Sequence, residues 1–433
     1  MKTTRARKAP PTRLSGGELL DNAVWFIALL TLFVVPLIVT SSAYDSYRLP
    51  KEMFVRAAGT IMAALSLIRW LVHGPSPRWR PDHRWALAAV AVLWTVITAL
   101  TARNRTLASE SVLWVAGCAV LFVVLDSGLA GRWWPLFYAV SLAAVCNALF
   151  CIFEVVGWTR GFGLTDGRVT GLLGNADDLG SYFVFVIVGA LGVCLATRRR
   201  RVLHIAMTAL LVVGLLMTQT IGSVAALFAA LLAFALVMAG RRSLPIIGIL
   251  VVAAALVIVF YQPLRGRIQR WIVASRSGRI DDLLSNRATP ILAAWEMIKD
   301  HPLVGVGPAG YRFAYYDYKL RVEALHPTLG YAASRPNNFG DAHNDHLQTM
   351  AQTGVPGYAL LLAAMAMVAR RSFTRAGPGF EGKFRRLTSA PLVVAFAVTA
   401  MPQFPMELAG PMITLIAVAT FCTAGVAADD ASA

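Results

Sequence analysis

One eight-residue run contains two histidines, two acids and two amides: Asp341-Ala342-His343-Asn344-Asp345-His346-Leu347-Gln348. It leads directly into a long apolar segment, so these polar groups lie at the mouth of a membrane helix, where polar residues are rare and often functional. Histidine can accept a proton near neutral pH, which gives the run the chemistry of a general base. The alternative is a hydrated helix start, with Asp341 as its cap and both histidines facing water.

A second feature is an excess of arginine upstream of this run. Six arginines lie between positions 265 and 287, against only Asp281 and Asp282: Arg265, Arg267, Arg270, Arg276, Arg279 and Arg287. Guanidinium groups bind phosphate through paired hydrogen bonds, so the cluster suits an anionic substrate such as a diphosphate. An interfacial amphipathic helix that rests its arginines on lipid phosphates has the same composition. Both interpretations can hold together.

The composition indicates which kind of secondary structure positions these residues. The chain is 57% hydrophobic and only 15% charged, which indicates a polytopic membrane protein of the all-α class. An apolar run of about 20 residues crosses a bilayer as a helix, and about twelve such runs recur here. The predicted spans are 22–40, 53–73, 84–102, 109–127, 133–157, 178–197, 201–219, 221–239, 244–262, 346–369, 388–402 and 408–428.

The distribution of positive charge predicts how these spans are oriented. The net charge of +17 is concentrated in alternate loops, which the positive-inside rule assigns to the cytoplasm. The sequence therefore divides into a basic cytoplasmic tail (1–21), spans one to nine (22–262), a large loop with short helices outside the cytoplasm (263–345), spans ten to twelve (346–428) and a cytoplasmic tail (429–433). No basic stripe alternates with aromatic residues, so membrane lipids rather than nucleic acid are the expected partners of this charge.

Two patterns that often indicate cofactors are better explained otherwise. The five cysteines all lie inside predicted spans without metal-ligand spacing, so we expect no disulfide and no metal site. A literal G-x-G-x-x-G runs from Gly305 to Gly310, but it follows a predicted helix instead of a strand. We interpret these glycines as a tight turn, and expect no cofactor.

Three ordered segments of the sequence resemble the O-antigen ligase/polymerase superfamily of bacterial membrane glycosyltransferases. The first is Gly167-Arg168-Val169-Thr170-Gly171 followed by Gly174-Asn175. The second runs from Arg287 to Trp295 and continues through His301-Pro302-Leu303-Val304-Gly305-Val306-Gly307. The third is Ala342-His343-Asn344-Asp345-His346-Leu347-Gln348 with Gly354 and Pro356-Gly357. Each motif is short, and their order together with one large outer loop carries the resemblance.

The resemblance implies metal-independent transfer of a preassembled glycan from undecaprenyl diphosphate to a glycolipid or polysaccharide acceptor. The site would face the periplasm from the bacterial inner membrane, and the product would be lipopolysaccharide or another polysaccharide. By motif match, His343, Arg168 and Arg287 are the expected catalytic residues. One position departs from the family: Ile221 occupies the place where an arginine often stands. That departure leaves a polysaccharide polymerase or an O-linked oligosaccharyltransferase as alternatives to an O-antigen ligase.

Several further residues are candidate substrate ligands, each with a simpler structural explanation. Lys51 could contact phosphate or snorkel to the lipid interface, and Asn175 could bind sugar hydroxyls or cap a helix. Arg265 and Arg267 could replace the missing arginine. Asn344 and His346 are the remaining candidate substrate ligands.

Local helix signals complete the expected site. Ser285-Asn286 should cap a helix over 288–299, which places Arg287 at a helix start. With Asp341 as cap, His343 would lie in the first helical turn, where the helix dipole favours a neutral imidazole. His346 would follow one turn later on a similar face.

A lipid-glycan transporter is the main rival to an enzyme. Transporters also have many spans, but they place polar residues at the membrane midplane on broken helices. This sequence instead has almost no charge in the middle of its spans and groups its motifs on one face. A purely structural membrane protein gives no reason for the polar cluster at all.

Overall fold

The computed structural model describes residues 14–159, 168–239, 262–276, 287–327, 339–375 and 377–424, together with positions 245, 248, 249 and 252. All regular elements within these ranges are helices, which confirms the predicted all-α class. In chain order the α-helices are α1 (Gly16–Val34), α2 (Arg48–His73), α3 (His83–Leu100), α4 (Arg105–Gly128), α5 (Trp133–Val155), α6 (Ala176–Ala196), α7 (Arg201–Met217), α8 (Ile221–Ala239), α9 (Gln262–Arg276), α10 (Ala288–Asp300), α11 (Tyr311–Leu325), α12 (Asp345–Ala369), α13 (Gly379–Thr399) and α14 (Ala409–Thr423).

Side-chain caps explain where many of these helices begin. The first backbone N–H groups of a helix have no partner within the helix, and a preceding polar side chain can accept from them. Ser15 forms a reciprocal capping box with Glu18 at the start of α1. The side chains of Asp82, Asn104 and Asn175 accept from the first turns of α3, α4 and α6.

Within the described ranges, eight helices are long and apolar enough to cross a membrane: α1 to α6, α8 and the helix that begins at Asp345. Two more, α7 and α14, are apolar but shorter. Most of the predicted span 388–402 lies in α13. The first turns of α13 carry Glu381, Lys383, Arg385 and Arg386, so this helix is not among those apolar enough to count as a membrane span. The span predicted over 244–262 lies almost wholly outside the described residues. The prediction of twelve spans is therefore not confirmed.

Polar contacts group the helix ends into two opposite sets. At one end Arg69 pairs with Asp21, and Arg84 bonds to Asp126 and to the Thr423 carbonyl. This end also carries the basic loops between α2 and α3 and between α6 and α7. At the other end, the Asp345 backbone amide donates to the Ala400 carbonyl at 2.9 Å. The polar run 341–348 therefore lies at the end of the bundle opposite the basic loops.

Helix α6 lies at the centre of the bundle and is the most buried of the apolar helices that the structure describes. It packs against α5, α7, α8, α13 and α14. Its close contact with α8 requires a glycine, since a Cβ at Gly180 would lie 2.3 Å from the Thr220 hydroxyl oxygen. This contact brings the beginning of α6, whose first turn carries Asp177, close to the beginning of α8.

The glycine-rich segment after α10 is a tight turn, as predicted. Gly305 and Gly307 have φ of 66° and 92°, values that L-residues rarely adopt. Two amides of the turn bind α12: Val306 donates to the Ala351 carbonyl at 2.8 Å, and Gly307 donates to the Gln352 carbonyl at 3.0 Å. Helix α12 is itself interrupted at Gly354. The turn thus fastens α10 and α11 to α12.

The two ends of the bundle lead to a test of orientation. A cysteine placed at Leu320 in the exposed part of α11 should react with a membrane-impermeant thiol reagent applied from the periplasm, and one at Arg199 should not, because positive loops stay in the cytoplasm. The measurement is labelling in cells, with the five native cysteines replaced. Protection at position 320 together with labelling at position 199 would reverse the assignment.

Candidate functional site

Three buried polar residues hold the segment that follows residue 167. Glu154 accepts from the Thr170 amide and hydroxyl with one carboxylate oxygen, and from the Gly171 amide at 2.8 Å with the other. The Asn147 side chain accepts from the Leu172 amide at 3.0 Å. Lys51 donates to the Leu172 carbonyl at 2.9 Å. Buried backbone groups need such partners, so these residues fix the path of the chain between Arg168 and α6.

The carboxylate of Asp177 brings Arg168 and Arg287 together. One of its oxygens lies 3.2 Å from Nη1 of Arg168, and the other lies 3.1 Å from Nη2 of Arg287. Arg287 also donates from Nη1 to the Pro402 carbonyl at 2.6 Å. Asp177 lies in the first turn of α6, where the helix dipole stabilises a negative charge. Two arginines that are distant in sequence thus form one cationic pair.

His343 lies just before α12 rather than in its first turn. The helix begins at Asp345, and its cap is Asn344, whose side chain accepts from the Leu347 amide at 2.9 Å. The prediction that Asp341 caps this helix is wrong, because the carboxylate of Asp341 binds Arg48 and Gln348 instead. His343 itself has a φ of 52°, and its ring makes edge contacts with Phe339 and Phe404.

The environment of His343 strongly favours a neutral imidazole. Burial, followed by the positive charge of Arg287, lowers the pKa of His343 to about 4, while Asp341 and Asp177 act in the opposite direction. The expected neutral state is therefore obtained by desolvation and a nearby cation, and not by a place in the first helical turn. The loop after α13 joins the two groups, since Pro402 binds Arg287 and Phe404 contacts His343.

His346 has a different environment from His343. Its Nε2 lies 3.1 Å from the Ala397 carbonyl, and its Nδ1 lies 3.3 Å from the Tyr358 hydroxyl. Both ring nitrogens therefore have partners within the helix bundle. The expectation that the two histidines share a helical face is wrong, because only His346 belongs to α12.

An acidic network supports the segment that carries His343. Asp341 pairs with Arg48 at 3.1 Å and accepts from Gln348, which also donates to Glu407 at 3.0 Å. The Ala342 amide donates to Gln348 at 2.7 Å. Burial would raise the pKa of Asp341, but Arg48 and Gln348 outweigh it and the pKa is lowered. Burial, followed by Asp341, raises the pKa of Glu407, so Glu407 is the acid of this pair that more readily carries a proton.

The remaining predicted ligands occupy structural or separate positions. Lys51 is 3% exposed, and its ammonium group donates hydrogen bonds to the carbonyls of Ile38, Tyr47 and Leu172. The side chain of Asn175 accepts from the Asp177 amide at 2.8 Å as the cap of α6, and Asn344 caps α12. Arg265 is exposed on α9, and Arg267 is on the same helix. The structure therefore brings Arg168, Arg287 and His343 together, whereas Lys51, Asn175 and Asn344 have structural roles.

Some residues of this site were not expected from the sequence. Asp177 bridges two arginines, and no local pattern in the sequence indicates that contact. Arg48, Pro402, Phe404 and Glu407 were not singled out. Arg48 and Glu407 are charged residues in or beside short loops at the ends of apolar segments, and that is a usable signal. The Pro402 carbonyl gives no signal in sequence. Among the described residues, no group of histidines, cysteines and acids could hold a metal ion.

Part of the chain matches a known protein family. Residues 206–362 match the sequence model of the O-antigen ligase family, a region that includes Arg287, the turn at 302–307 and His343. The match confirms the resemblance to the O-antigen ligase/polymerase superfamily. Members of the matched family are membrane glycosyltransferase-like enzymes, and the apolar helices agree with a multi-pass membrane protein. No curated protein matches the chain significantly.

The environment of His343 predicts its titration. We expect the ring to stay neutral down to about pH 4, and Arg287→Met to raise its pKa only part of the way to the ordinary value, because burial is the larger cause. Nuclear magnetic resonance of ¹³C-labelled histidine, assigned with His343→Gln, measures this. Arg103→Met removes an exposed cation that pairs with Asp317 and should change nothing. A pKa of about 6.5 for His343 in the wild type would show that burial and Arg287 do not lower it.

Proposed function

We propose that this chain, in which residues 206–362 match the O-antigen ligase family, transfers a preassembled glycan from undecaprenyl diphosphate to an acceptor hydroxyl. The reaction takes place on the periplasmic face of the bacterial inner membrane. The observation that carries the proposal is the pair of arginines on Asp177 beside a neutral histidine. The acceptor is a hydroxyl of lipid A core or a similar glycolipid.

The leaving group explains the need for two arginines. When the bond between the anomeric carbon and the phosphate oxygen breaks, its electron pair stays on that oxygen, so negative charge grows on the diphosphate. Guanidinium groups that are already in position stabilise such charge with directed hydrogen bonds. Each arginine reaches Asp177 through terminal nitrogens and is about one-quarter exposed, which leaves N–H groups for phosphate oxygens.

The acceptor hydroxyl needs a base, and His343 is our candidate. It accepts the hydroxyl proton as the acceptor oxygen attacks the anomeric carbon, and it later releases that proton to the departing diphosphate or to water. A pKa of about 4 makes the free ring a weak base. A bound diphosphate counters the charge of Arg287, which raises the pKa of His343 and strengthens the base when the donor is present.

A polymerase or an O-linked oligosaccharyltransferase of the same superfamily is the second candidate. The observation in its favour is Ile221, which starts α8 where the family often has an arginine. The same chemistry then uses a sugar hydroxyl of a growing polysaccharide, or a protein hydroxyl, as acceptor. Transfer from one donor to competing acceptors distinguishes these enzymes.

Removal of either arginine should slow transfer. We expect Arg168→Ala and Arg287→Ala each to reduce transfer more than tenfold, since lost stabilisation of a developing charge costs about 3 kcal/mol. Arg287→Lys should restore only part, because a lysine cannot replace the planar pair of donors. The rates of transfer are measured with purified protein, a lipid-linked glycan and a glycolipid acceptor, without ATP or metal. Arg103→Ala is the matched control, and normal rates in both test variants would mean that the arginines serve another purpose.

Removal of the base should separate catalysis from binding. We expect His343→Ala to abolish transfer while the lipid-linked donor still binds, because a base acts mainly on the transition state. His346→Ala should keep the pH dependence of the wild type, since its ring is engaged with Ala397 and Tyr358. Donor binding in nanodiscs and single-turnover transfer are the two measurements. A loss explained fully by weaker donor binding would make His343 a ligand and not a base.

A further inference from the structure

Asp177 occupies the place between the two arginines that an anionic substrate would take. Each of its carboxylate oxygens binds a different guanidinium, at 3.2 and 3.1 Å, as two phosphate oxygens would. The three side chains are 22–25% exposed, so a ligand can reach them. Asp177 therefore satisfies the arginines within the protein itself.

The carboxylate of Asp177 can leave this position without disturbing the helix. Its backbone is held separately: the Asp177 amide donates to Asn175 at 2.8 Å, and its carbonyl accepts from Ser181 at 3.0 Å. The contacts of its side chain among the described residues are the two arginines. Rotation of one side chain is therefore enough to exchange Asp177 for another anion.

Charge balance gives this exchange a consequence. The donor diphosphate is esterified at both ends, whereas the departing lipid diphosphate has one free end and can carry one more negative charge. Two arginines alone would hold that product more strongly than the donor, and its release would be slow. A negative charge that stays between the arginines lowers their affinity for the diphosphate product more than their affinity for the donor, because the product carries more charge.

We propose that Asp177 is a resident counter-anion that competes with diphosphate for Arg168 and Arg287 and thereby promotes release of the spent lipid diphosphate. This inference rests on the proposed function, because it assumes a diphosphate at the arginine pair. It assigns Asp177 a positioning and release role and no contact with the reacting atoms. A role confined to aligning the arginines makes the opposite prediction for affinity, so the two can be separated.

The test is the affinity of undecaprenyl diphosphate for variants that lack this charge. We expect Asp177→Asn in neutral-lipid nanodiscs to bind undecaprenyl diphosphate at least fivefold more tightly than the wild type, and product inhibition of transfer to begin at correspondingly lower concentration. Asp177→Ser removes the same charge with a residue suited to a helix start and should behave alike if the amide variant folds poorly. Asp317→Asn, which breaks an exposed pair with Arg103, should leave the affinity within twofold.

The possible results separate this inference from the function on which it rests. In one result, both Asp177 variants bind undecaprenyl diphosphate as the wild type does or more weakly, and Arg168→Ala abolishes binding. That result would overturn the counter-anion role of Asp177 and leave the proposed donor site intact. A wild-type protein that binds no undecaprenyl diphosphate would overturn both. Tighter binding in the Asp177 variants alone, with the Asp317 variant unchanged, supports the inference.

Discussion

The ion pairs that Asp177 makes with Arg168 and Arg287 join parts of the chain that are far apart in sequence. Asp177 belongs to the most buried apolar helix, whereas Arg287 starts the first helix of the α10–α11 pair. Among the described residues, Asp177 is the one acid that pairs with either guanidinium, and each is about one-quarter exposed, where an unpaired charge is costly. The shared carboxylate gives both a partner. It also holds Arg287 near His343, whose pKa the charge of Arg287 lowers, so the pKa of the histidine depends on the same contact.

Buried polar side chains let irregular backbone exist beside this pair. The segment after Arg168 relies on Lys51, Asn147 and Glu154, and the segment before α12 relies on Gln348. Irregular backbone at the end of a membrane bundle needs such partners, because its amides and carbonyls have no helical ones. Lys51 shows the consequence for function: its buried ammonium group holds the chain on which Arg168 lies and has no capacity left for a substrate.

The sequence predicted the helices well where hydropathy alone decides them, as for α8, predicted over 221–239 and found at Ile221–Ala239. It also indicated His343, Arg168 and Arg287, because family motifs carry them. It could not predict the cap of α12, since Asp341 and Asn344 are both good capping residues. A salt bridge to Arg48, 293 positions away, decides between them. The ion pairs of Asp177 with the two arginines could not be predicted for the same reason, because long-range pairing leaves no local pattern in the sequence.

A structure of the protein with a non-hydrolysable analogue of a lipid-linked glycan tests the central claim, that the arginine pair and His343 form one transfer site. The account predicts that diphosphate oxygens lie about 3 Å from guanidinium nitrogens of both Arg168 and Arg287, with the Asp177 carboxylate turned away. It also predicts that the anomeric carbon faces the His343 ring. A diphosphate bound at the opposite end of the bundle, near Arg69 and Arg78, would contradict the account.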